Sequence, residues 1–415
     1  NATILTMELP PFVLTPQPTS NATAKVTSMR IITVTCLLVL ICTGLATGGE
    51  TAGLVKERPT SGRSVKVDEG FMVPYEVKIP GTKVTFWMEP IPGGEFAMGS
   101  PDSEAGRDDA EGPQRKFVVE PYWMARHEVT WAEYKVFMNL YDSFKAFEVA
   151  GIRKVTEENE VDAISAPTVL YEPEFTFEYG EDPQQPAVSV SQFSSKQYTK
   201  WLSAITGSQF RLPTEAEWEY ACRAGSKTAY HFGDDASKLG DYAWFAENSD
   251  DEGTKKVGQK KPNPWGLYDI HGNAAEWVMD YHQKYESSAS VLNAASDWVR
   301  PKSVDPRVVR GGSWEFEAEE CRCASRLASD TDEWRTTDPN LPKSPYWLTD
   351  DPARGIGFRI IRSLKTLPRD DMEKYWRIDH EDIKYEDDDR LAEGRGVRGL
   401  VDKGLPAAIE KLSEE

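Results

Sequence analysis

The sequence has few of the residues that build redox or metal centres. Among its 415 residues there are only five cysteines and five histidines. The histidines show neither HExxH nor three-histidine spacing, which excludes the common histidine-based metal sites. Basic residues are also outnumbered, with 48 Lys and Arg against 68 Asp and Glu, for a net charge of −20. So acidic a surface repels nucleic acid and anionic lipid, and neither is expected as a partner.

Long apolar runs are absent as well. The run Met29–Cys42 has about 12 apolar residues, whereas a membrane-spanning helix needs roughly 20. Its apolar part follows Arg30 and precedes the small-residue pattern Gly44-Leu45-Ala46, which predicts a secretory signal peptide over residues 29–46. An uncleaved anchor is the alternative. We interpret residues 1–28, which begin without Met, as a segment upstream of the true start. The chain is thus expected to be exported to a periplasmic or extracellular space and not to be an integral membrane protein after cleavage.

Bulky rings and turn formers are abundant. Aromatic residues make up 11% of the chain, including 13 Trp, alongside 30 Gly and 27 Pro. This composition favours a packed, loop-rich body over a disordered chain. We predict a polar linker over 47–67, a folded domain over 68–364 and a charged tail over 365–415 that is helical in part and at most weakly docked. The insertion over residues 146–185 carries no functional signal.

Two helices have clear boundary signals. Ser191 is expected to start a helix that ends near Gly207. Thr214 and Glu217 form a capping box ahead of Trp218, which predicts a second helix.

Four motifs carry a family resemblance. They are Arg211–Trp218 (RLPTEAEW), Gly266–Trp277 (GLYDIHGNAAEW), Arg310–Trp314 (RGGSW) and Gly357–Ile360 (GFRI). From about residue 86 to residue 362 the chain resembles a formylglycine-generating-enzyme, or sulfatase-modifying-factor, domain. This resemblance implies an α+β, C-type-lectin-like fold with small twisted antiparallel sheets, short helices and extensive loops.

One motif suggests a hard-cation site. Asp269 and Glu276 lie seven residues apart around a Gly-Asn turn, and calcium takes such mixtures of carboxylates and backbone carbonyls. The resemblance implies a calcium site made by the side chains of Asp269 and Glu276 and the carbonyls of Gly272 and Ala274. The alternative is that Asp269 or Asn273 only caps a helix bearing Trp277. Calcium is therefore the expected cofactor.

The catalytic residues of the family are incompletely preserved. The resemblance places Ser313 beside the reactive centre, where two cysteines bind copper and oxidise a substrate cysteine. The first of those positions is Phe316 here, and the second has no counterpart. Cys321 alone cannot supply two thiolates for Cu(I), so copper is not expected. Ser313 and Cys321 remain candidate catalytic residues, although a buried free thiol is the alternative for Cys321.

The other two cysteines match a structural bridge of the family. The resemblance implies a disulfide between Cys222 and Cys323, which leaves Cys321 unpaired in an oxidising compartment.

Large aromatic residues cluster near the position of the family's substrate groove. Trp314, Phe316, Trp334 and Trp347 could line a ligand groove, since large rings give contact area at low entropic cost. The alternative is that these rings fill the core.

The leading hypothesis is an exported, calcium-stabilised binding module without formylglycine-generating activity, with a peptide, protein or sugar as ligand. The alternative is an oxidoreductase of the same family that oxidises a protein cysteine at a modified site. A structural component of a surface assembly is a third class. A Cys-x-Pro-x-Arg or Ser-x-Pro-x-Arg segment is absent, so the chain is not a sulfatase.

Overall fold

The computed structural model describes residues 51–170, 173–250, 253–335 and 344–414. The predicted upstream segment 1–28 and signal peptide 29–46 lie outside the described residues. No helix in the described part of the chain is long and apolar enough to cross a membrane.

Seventeen short strands form five small sheets within the described residues. The sheet orders are β1-β3-β2, β10-β16-β8-β5-β4, β14-β13-β11-β15, β12-β7-β6 and β17-β9. The pairings are antiparallel except for β11 with β15 and β7 with β12. In chain order the strands are β1 (Leu54–Val55), β2 (Val65–Val67), β3 (Gly70–Met72), β4 (Tyr75–Lys78), β5 (Thr85–Ile91), β6 (Gly94–Met98), β7 (Arg115–Val119), β8 (Tyr122–Ala125), β9 (Ala163–Ser165), β10 (Phe210–Arg211), β11 (Ala275–Tyr281), β12 (Leu292–Asn293), β13 (Arg307–Arg310), β14 (Leu327–Ala328), β15 (Ile356–Phe358), β16 (Ile361–Ser363) and β17 (Arg398–Leu400).

Eight helices accompany the sheets in the described residues, together with several single 3₁₀ turns. This mixture of short helices and small sheets confirms the α+β prediction. The α-helices are α1 (Trp131–Met138), α2 (Leu140–Ala150), α3 (Pro173–Phe177), α4 (Gln192–Thr206), α5 (Glu215–Arg223), α6 (Arg369–Trp376), α7 (Glu381–Ala392) and α8 (Leu405–Ser413).

Local capping chemistry sets the helix boundaries that the sequence predicted. The Ser191 side chain accepts a bond from the Ser194 amide at the start of α4, and Gly207 ends that helix at φ 73°. At α5 the Thr214 side chain accepts from the Glu217 amide while the Glu217 carboxylate accepts from the Thr214 amide. Both helix predictions are confirmed.

The core lies on both sides of β11. Successive side chains of a strand point to opposite faces, and Trp277 and Met279 pack in the larger apolar cluster while Val278 packs in the second. The strand is buried over most of its length. It is therefore a rigid support for the loop that precedes it, residues 269–274.

The predicted linker over 47–67 is wrong for its described part. Strands β1 and β2 both pair with β3, so residues 54–67 contribute to a sheet. Leu54 and Val65 pack against the core, which their polar sequence neighbours obscured.

The charged tail over 365–415 is helical in part, as predicted, but the prediction that it docks weakly if at all is wrong. Met372, Tyr375, Val397 and Leu405 are buried in the larger core cluster. Strand β17 pairs with β9, which lies inside the 146–185 insertion. A few widely spaced apolar side chains dock this segment, and the charged residues between them hide that pattern in the sequence.

Candidate functional site

The loop 269–274 is fixed by its backbone. Asp269 and Asn273 adopt left-handed conformations with φ of 58° and 65°. The Asn273 side chain accepts from the Lys255 amide at 2.8 Å and donates to Glu128 Oε1 at 3.2 Å. The Asn273 carbonyl accepts from the Trp314 amide at 3.1 Å. The loop leads into a strand, so the alternative that its residues cap a helix bearing Trp277 is wrong.

Three buried carboxylates surround the guanidinium of Arg359. Glu276 Oε1 lies 2.8 Å from Arg359 Nη2, and Glu276 Oε2 accepts from the Trp218 indole at 2.7 Å. Glu128 Oε2 lies 3.8 Å from Arg359 Nη2, too far for a hydrogen bond. Glu128, Asp269, Glu276 and Arg359 are each at most 1% exposed. The cluster therefore has three acids and one base away from water.

Two carboxylate oxygens of this cluster have no hydrogen-bond partner. They are Glu128 Oε2 and Asp269 Oδ1, and both are buried. Asp269 Oδ2 accepts from the Gly258 amide at 2.7 Å. Burial raises the pKa of Glu128 well above its ordinary value, and the nearby Asp269 raises it further. Burial likewise raises the pKa of Asp269 to about 6. Buried charges normally have partners, so each orphan oxygen either carries a proton, as the raised pKa values favour, or takes a cation.

The predicted calcium ligands are thus only partly free. Asp269 offers an oxygen, whereas both oxygens of Glu276 are engaged by Arg359 and Trp218. Glu128 is a further candidate ligand that sequence reasoning missed. It precedes α1 in no recognisable motif and reaches the loop only through the fold. A cation here would take two side-chain oxygens and complete its shell with carbonyls or water, as calcium commonly does.

The predicted disulfide partners lie side by side. The sulfur atoms Cys222 Sγ and Cys323 Sγ lie 3.1 Å apart, and both cysteines are free thiols. Burial raises the pKa of the Cys222 thiol well above its ordinary value. The bridge itself stays a prediction.

His271 lies beside this pair. Within the described residues, these three side chains form the only group of three His, Cys, Asp or Glu residues whose ligand atoms all lie within 4.8 Å of one another. Both ring nitrogens of His271 are already engaged, Nδ1 with the Cys321 carbonyl at 2.8 Å and Nε2 with His231 Nδ1 at 2.9 Å. A metal would have to displace one of these bonds. The trio is therefore a poor metal centre.

The candidate catalytic residues do not reach solvent. Ser313 and Cys321 are both 0% exposed. A Cβ at Gly355 would lie 2.8 Å from Ser313 Oγ, and one at Gly312 would lie 2.5 Å from Cys321 Sγ, so backbone packs directly on both side chains. Burial, and then Glu320, raise the pKa of Cys321. A thiolate at Cys321 is disfavoured.

The stretch after Ser313 is covered by the insertion. The Tyr179 ring stacks on Trp314 with centroids 5.9 Å apart, and the Arg354 guanidinium lies 4.9 Å from the Tyr179 centroid. Arg354 also pairs with Glu315 at 3.2 Å. The 146–185 insertion therefore helps to close the region where the family resemblance placed a substrate groove.

Three of the four predicted groove aromatics are core residues. Trp314, Trp334 and Trp347 are at most 4% exposed, so the groove prediction is wrong for them. Trp347 packs on Trp131, and Trp334 packs on Trp277. Phe316 is half-buried beside a cavity of about 260 Å³ that Gly311, Gly312 and Arg322 help to line. The pattern of aromatic residues did not reveal which rings face inward.

Comparisons with known proteins agree with this fold. The model of the family described as "Sulfatase-modifying factor enzyme 1-like domain" matches residues 85–337. A formylglycine-generating enzyme of Bos taurus is 30% identical over 277 residues, which cover 59% of this chain and 71% of that protein. The "Inactive C-alpha-formylglycine-generating enzyme 2" of Bos taurus is 29% identical over 245 residues, covering 53% and 78%.

A solved structure is similar as well. PvdO from Pseudomonas aeruginosa is 28% identical with a TM-score of 0.50, and the match covers 69% of this chain and all of that one. Together with the four motifs and the small twisted sheets, these matches show that the chain belongs to the sulfatase-modifying-factor family.

Proposed function

We propose that this chain is an exported, calcium-stabilised binding module that lacks formylglycine-generating activity. The observation that carries the proposal is the occupant of the first reactive-cysteine position, Phe316, together with the burial of Cys321. The similarity to a relative named as inactive supports it, since the family contains such members.

The chemistry of the site supports the loss of the activity that oxidises a protein cysteine. Copper(I) is held by soft ligands such as paired thiolates, and a phenyl ring at Phe316 offers none. Cys321 has its sulfur packed against Gly312 and a raised pKa, so it neither binds copper readily nor meets a substrate. Ser313 is buried against Gly355.

An alternative function is oxidation of a protein cysteine at a modified site. It is favoured by the cavity beside Phe316 and by the 30% identity to a formylglycine-generating enzyme. Cu(I) titration of the purified protein against a competing chelator distinguishes the two. Tight copper binding that Cys321→Ser abolishes would support the alternative, and we expect no such binding.

Calcium is expected to stabilise the protein through Asp269 and Glu128. When all three carboxyls are ionised, the cluster with its one guanidinium carries two uncompensated negative charges, so a divalent cation would neutralise them and displace the protons that burial favours on Glu128 and Asp269. A ligand at 100 times its Kd adds about 2.7 kcal/mol to the free energy of unfolding. For a chain of this size we expect calcium to raise Tm by roughly 3 °C over the EDTA-treated protein, measured by calorimetry.

Matched variants distinguish calcium binding at this site from general effects of a substitution on stability. Glu128→Gln and Asp269→Asn keep side-chain size but should abolish the calcium-dependent rise in Tm. The control is Glu133→Gln, because Glu133 is a buried carboxyl that caps α1 and glutamine can cap in the same way. A rise that persists in both site variants, or no difference between calcium and EDTA, would show that calcium does not bind there.

A further inference from the structure

A cavity of about 710 Å³ lies where residues 378–386 face the matched domain. Its other walls include residues 191–193, at the start of α4, and residues 303–307. The family match ends at residue 337, so the wall formed by residues 378–386 lies outside the family domain. The volume falls within the range of small-molecule sites, roughly 300 to 1,000 Å³. No predicted site residue lines it.

Two buried bases on this cavity share a single carboxylate. Lys196 Nζ and Arg307 Nη2 each lie 2.8 Å from Asp379, and both basic side chains are at most 4% exposed. The pair of Arg307 with Asp379 is bidentate, at 3.0 Å and 2.8 Å, and it balances the charge of the carboxylate. Burial lowers the pKa of Lys196; Asp379 opposes this shift, whereas Arg307 and Arg377 add to it. The ammonium of Lys196 is therefore an excess positive charge away from water.

The Lys196 ammonium also has unused hydrogen-bond donors. An ammonium can donate three hydrogen bonds, and within the described residues Nζ meets one acceptor, Asp379 Oδ2. The Arg307 guanidinium, in contrast, meets one acceptor for each of its five N–H groups. An acceptor that carries negative charge would satisfy both the donors and the charge of Lys196.

The start of α4 adds further donors to the same wall. Gln192 and Lys196 lie one turn apart on this 15-residue helix, and both line the cavity. Ser191 caps the Ser194 amide, but the amides of Gln192 and Phe193 donate no hydrogen bond to any described residue. Unpaired amides and the helix dipole both favour an anion at a helix N-terminus. The helix end and the buried ammonium therefore indicate the same sign of ligand charge.

The acids on the cavity wall are either exposed or partnered, apart from Asp379. Those that are solvent-exposed are Asp330, Asp332 and Asp382. Glu386 pairs with Arg335 at 2.7 Å, and Asp305 accepts hydrogen bonds from residues 329–331. Water and salt screen exposed charges, whereas charges away from water interact more strongly. The buried bases thus favour an anionic group, and the acidic rim disfavours one with two negative charges.

From this arrangement we infer that the cavity binds an organic monocarboxylate with an apolar body, either a free acid or the C-terminus of a peptide. The carboxylate accepts hydrogen bonds from Lys196 and from the amides at the start of α4. The apolar body lies along Phe193, Ile378 and Leu348, which also line the cavity. The inference rests on the proposed function as a binding module and names the chemistry of its ligand.

Isothermal titration at neutral pH with two carboxylates tests the inference. The probes are phenylpropionate and acetyl-alanyl-phenylalanine with a free C-terminus, and the matched control is the neutral phenylpropionamide. We expect at least one acid to bind, and the amide to bind at least about tenfold more weakly than phenylpropionate if that acid binds. Binding of both acids supports the shared chemistry, and binding of only one identifies its source. Absence of binding by both acids, or equal affinity for phenylpropionate and its amide, overturns the inference.

The variant Lys196→Met removes the ammonium but keeps the bidentate pair of Arg307 with Asp379. It should weaken carboxylate binding at least about tenfold, because a hydrogen bond to a charged group contributes at least that much. The control is Lys365→Met, because Lys365 is an exposed lysine that pairs with Glu120 outside the cavity. Equal affinity in the two variants overturns the inference, and if Lys196→Met does not fold, the comparison of acid with amide still decides. Cysteine oxidation is measured separately on the same protein, so failure of this inference and failure of the proposed function are distinguishable.

Discussion

Replacing Arg359 with methionine is expected to lower the free energy of unfolding by about 4 kcal/mol, because removing one partner of a buried ion pair leaves charge without compensation. Arg359 is fully buried and donates to Glu276, to the Ala125 carbonyl at 3.0 Å and to the Tyr268 carbonyl at 2.8 Å. Its loss leaves three buried carboxylates without a base.

Urea unfolding followed by Trp fluorescence measures this change. The control is Arg369→Met, because Arg369 pairs with Asp162 on the surface and such pairs contribute about 0 to 1 kcal/mol. Calcium should also recover more stability in Arg359→Met than in the wild type, since the variant leaves the site more negative. Equal stability of the two variants would show that Arg359 does not hold this cluster together.

Replacing Trp347 with alanine is expected to lower the free energy of unfolding by about 3 to 5 kcal/mol, as large-to-small core substitutions do. The ring packs on Trp131 with centroids 6.4 Å apart and meets Tyr134 edge-on at 5.8 Å. Its indole nitrogen donates to the Thr168 carbonyl, so the substitution also leaves a partly buried acceptor without its donor. A groove residue exposed to ligand would lose little stability.

The same denaturation experiment measures this loss. The matched control is Trp87→Ala, because Trp87 is 37% exposed on β5 with the Arg126 guanidinium above its ring. We expect a loss of roughly 1 kcal/mol there, since a single exposed cation–π contact contributes about that much. If Trp347→Ala is no more destabilising than Trp87→Ala, the core assignment of Trp347 is wrong.

The parts of the fold that the sequence predicted are those fixed by neighbouring residues. The capping box of Thr214 and Glu217, and the Ser191 and Gly207 boundaries of α4, involve groups three or four residues apart or a single backbone conformation. Such signals can be recognised in the sequence alone.

The C-terminal segment depends on distant partners instead. Its strand pairs Arg398 with Ser165, and Asp379 pairs with Lys196 and Arg307. Nothing in the composition of residues 365–415 indicates those partners, and their charge density favoured a solvated tail.

The candidate site likewise contains residues that the sequence predicted and residues that only the folded chain reveals. Asp269 could be predicted because its motif is contiguous, whereas Glu128 reaches Asn273 across 145 residues of sequence. The engagement of Glu276 by Arg359 and Trp218 also depends on the folded chain. Trp314 is covered by the ring of Tyr179, which lies in an insertion without a recognisable sequence pattern.

We propose that this chain does not oxidise a protein cysteine. Aerobic incubation of the copper-supplemented protein with a peptide containing Cys-x-Pro-x-Arg, followed by mass spectrometry of the peptide, measures this activity. We expect the peptide cysteine to remain a thiol or a simple disulfide, as in a sample without protein. Conversion of that cysteine to an aldehyde, at a rate that scales with protein concentration, would show that the chain retains formylglycine-generating activity.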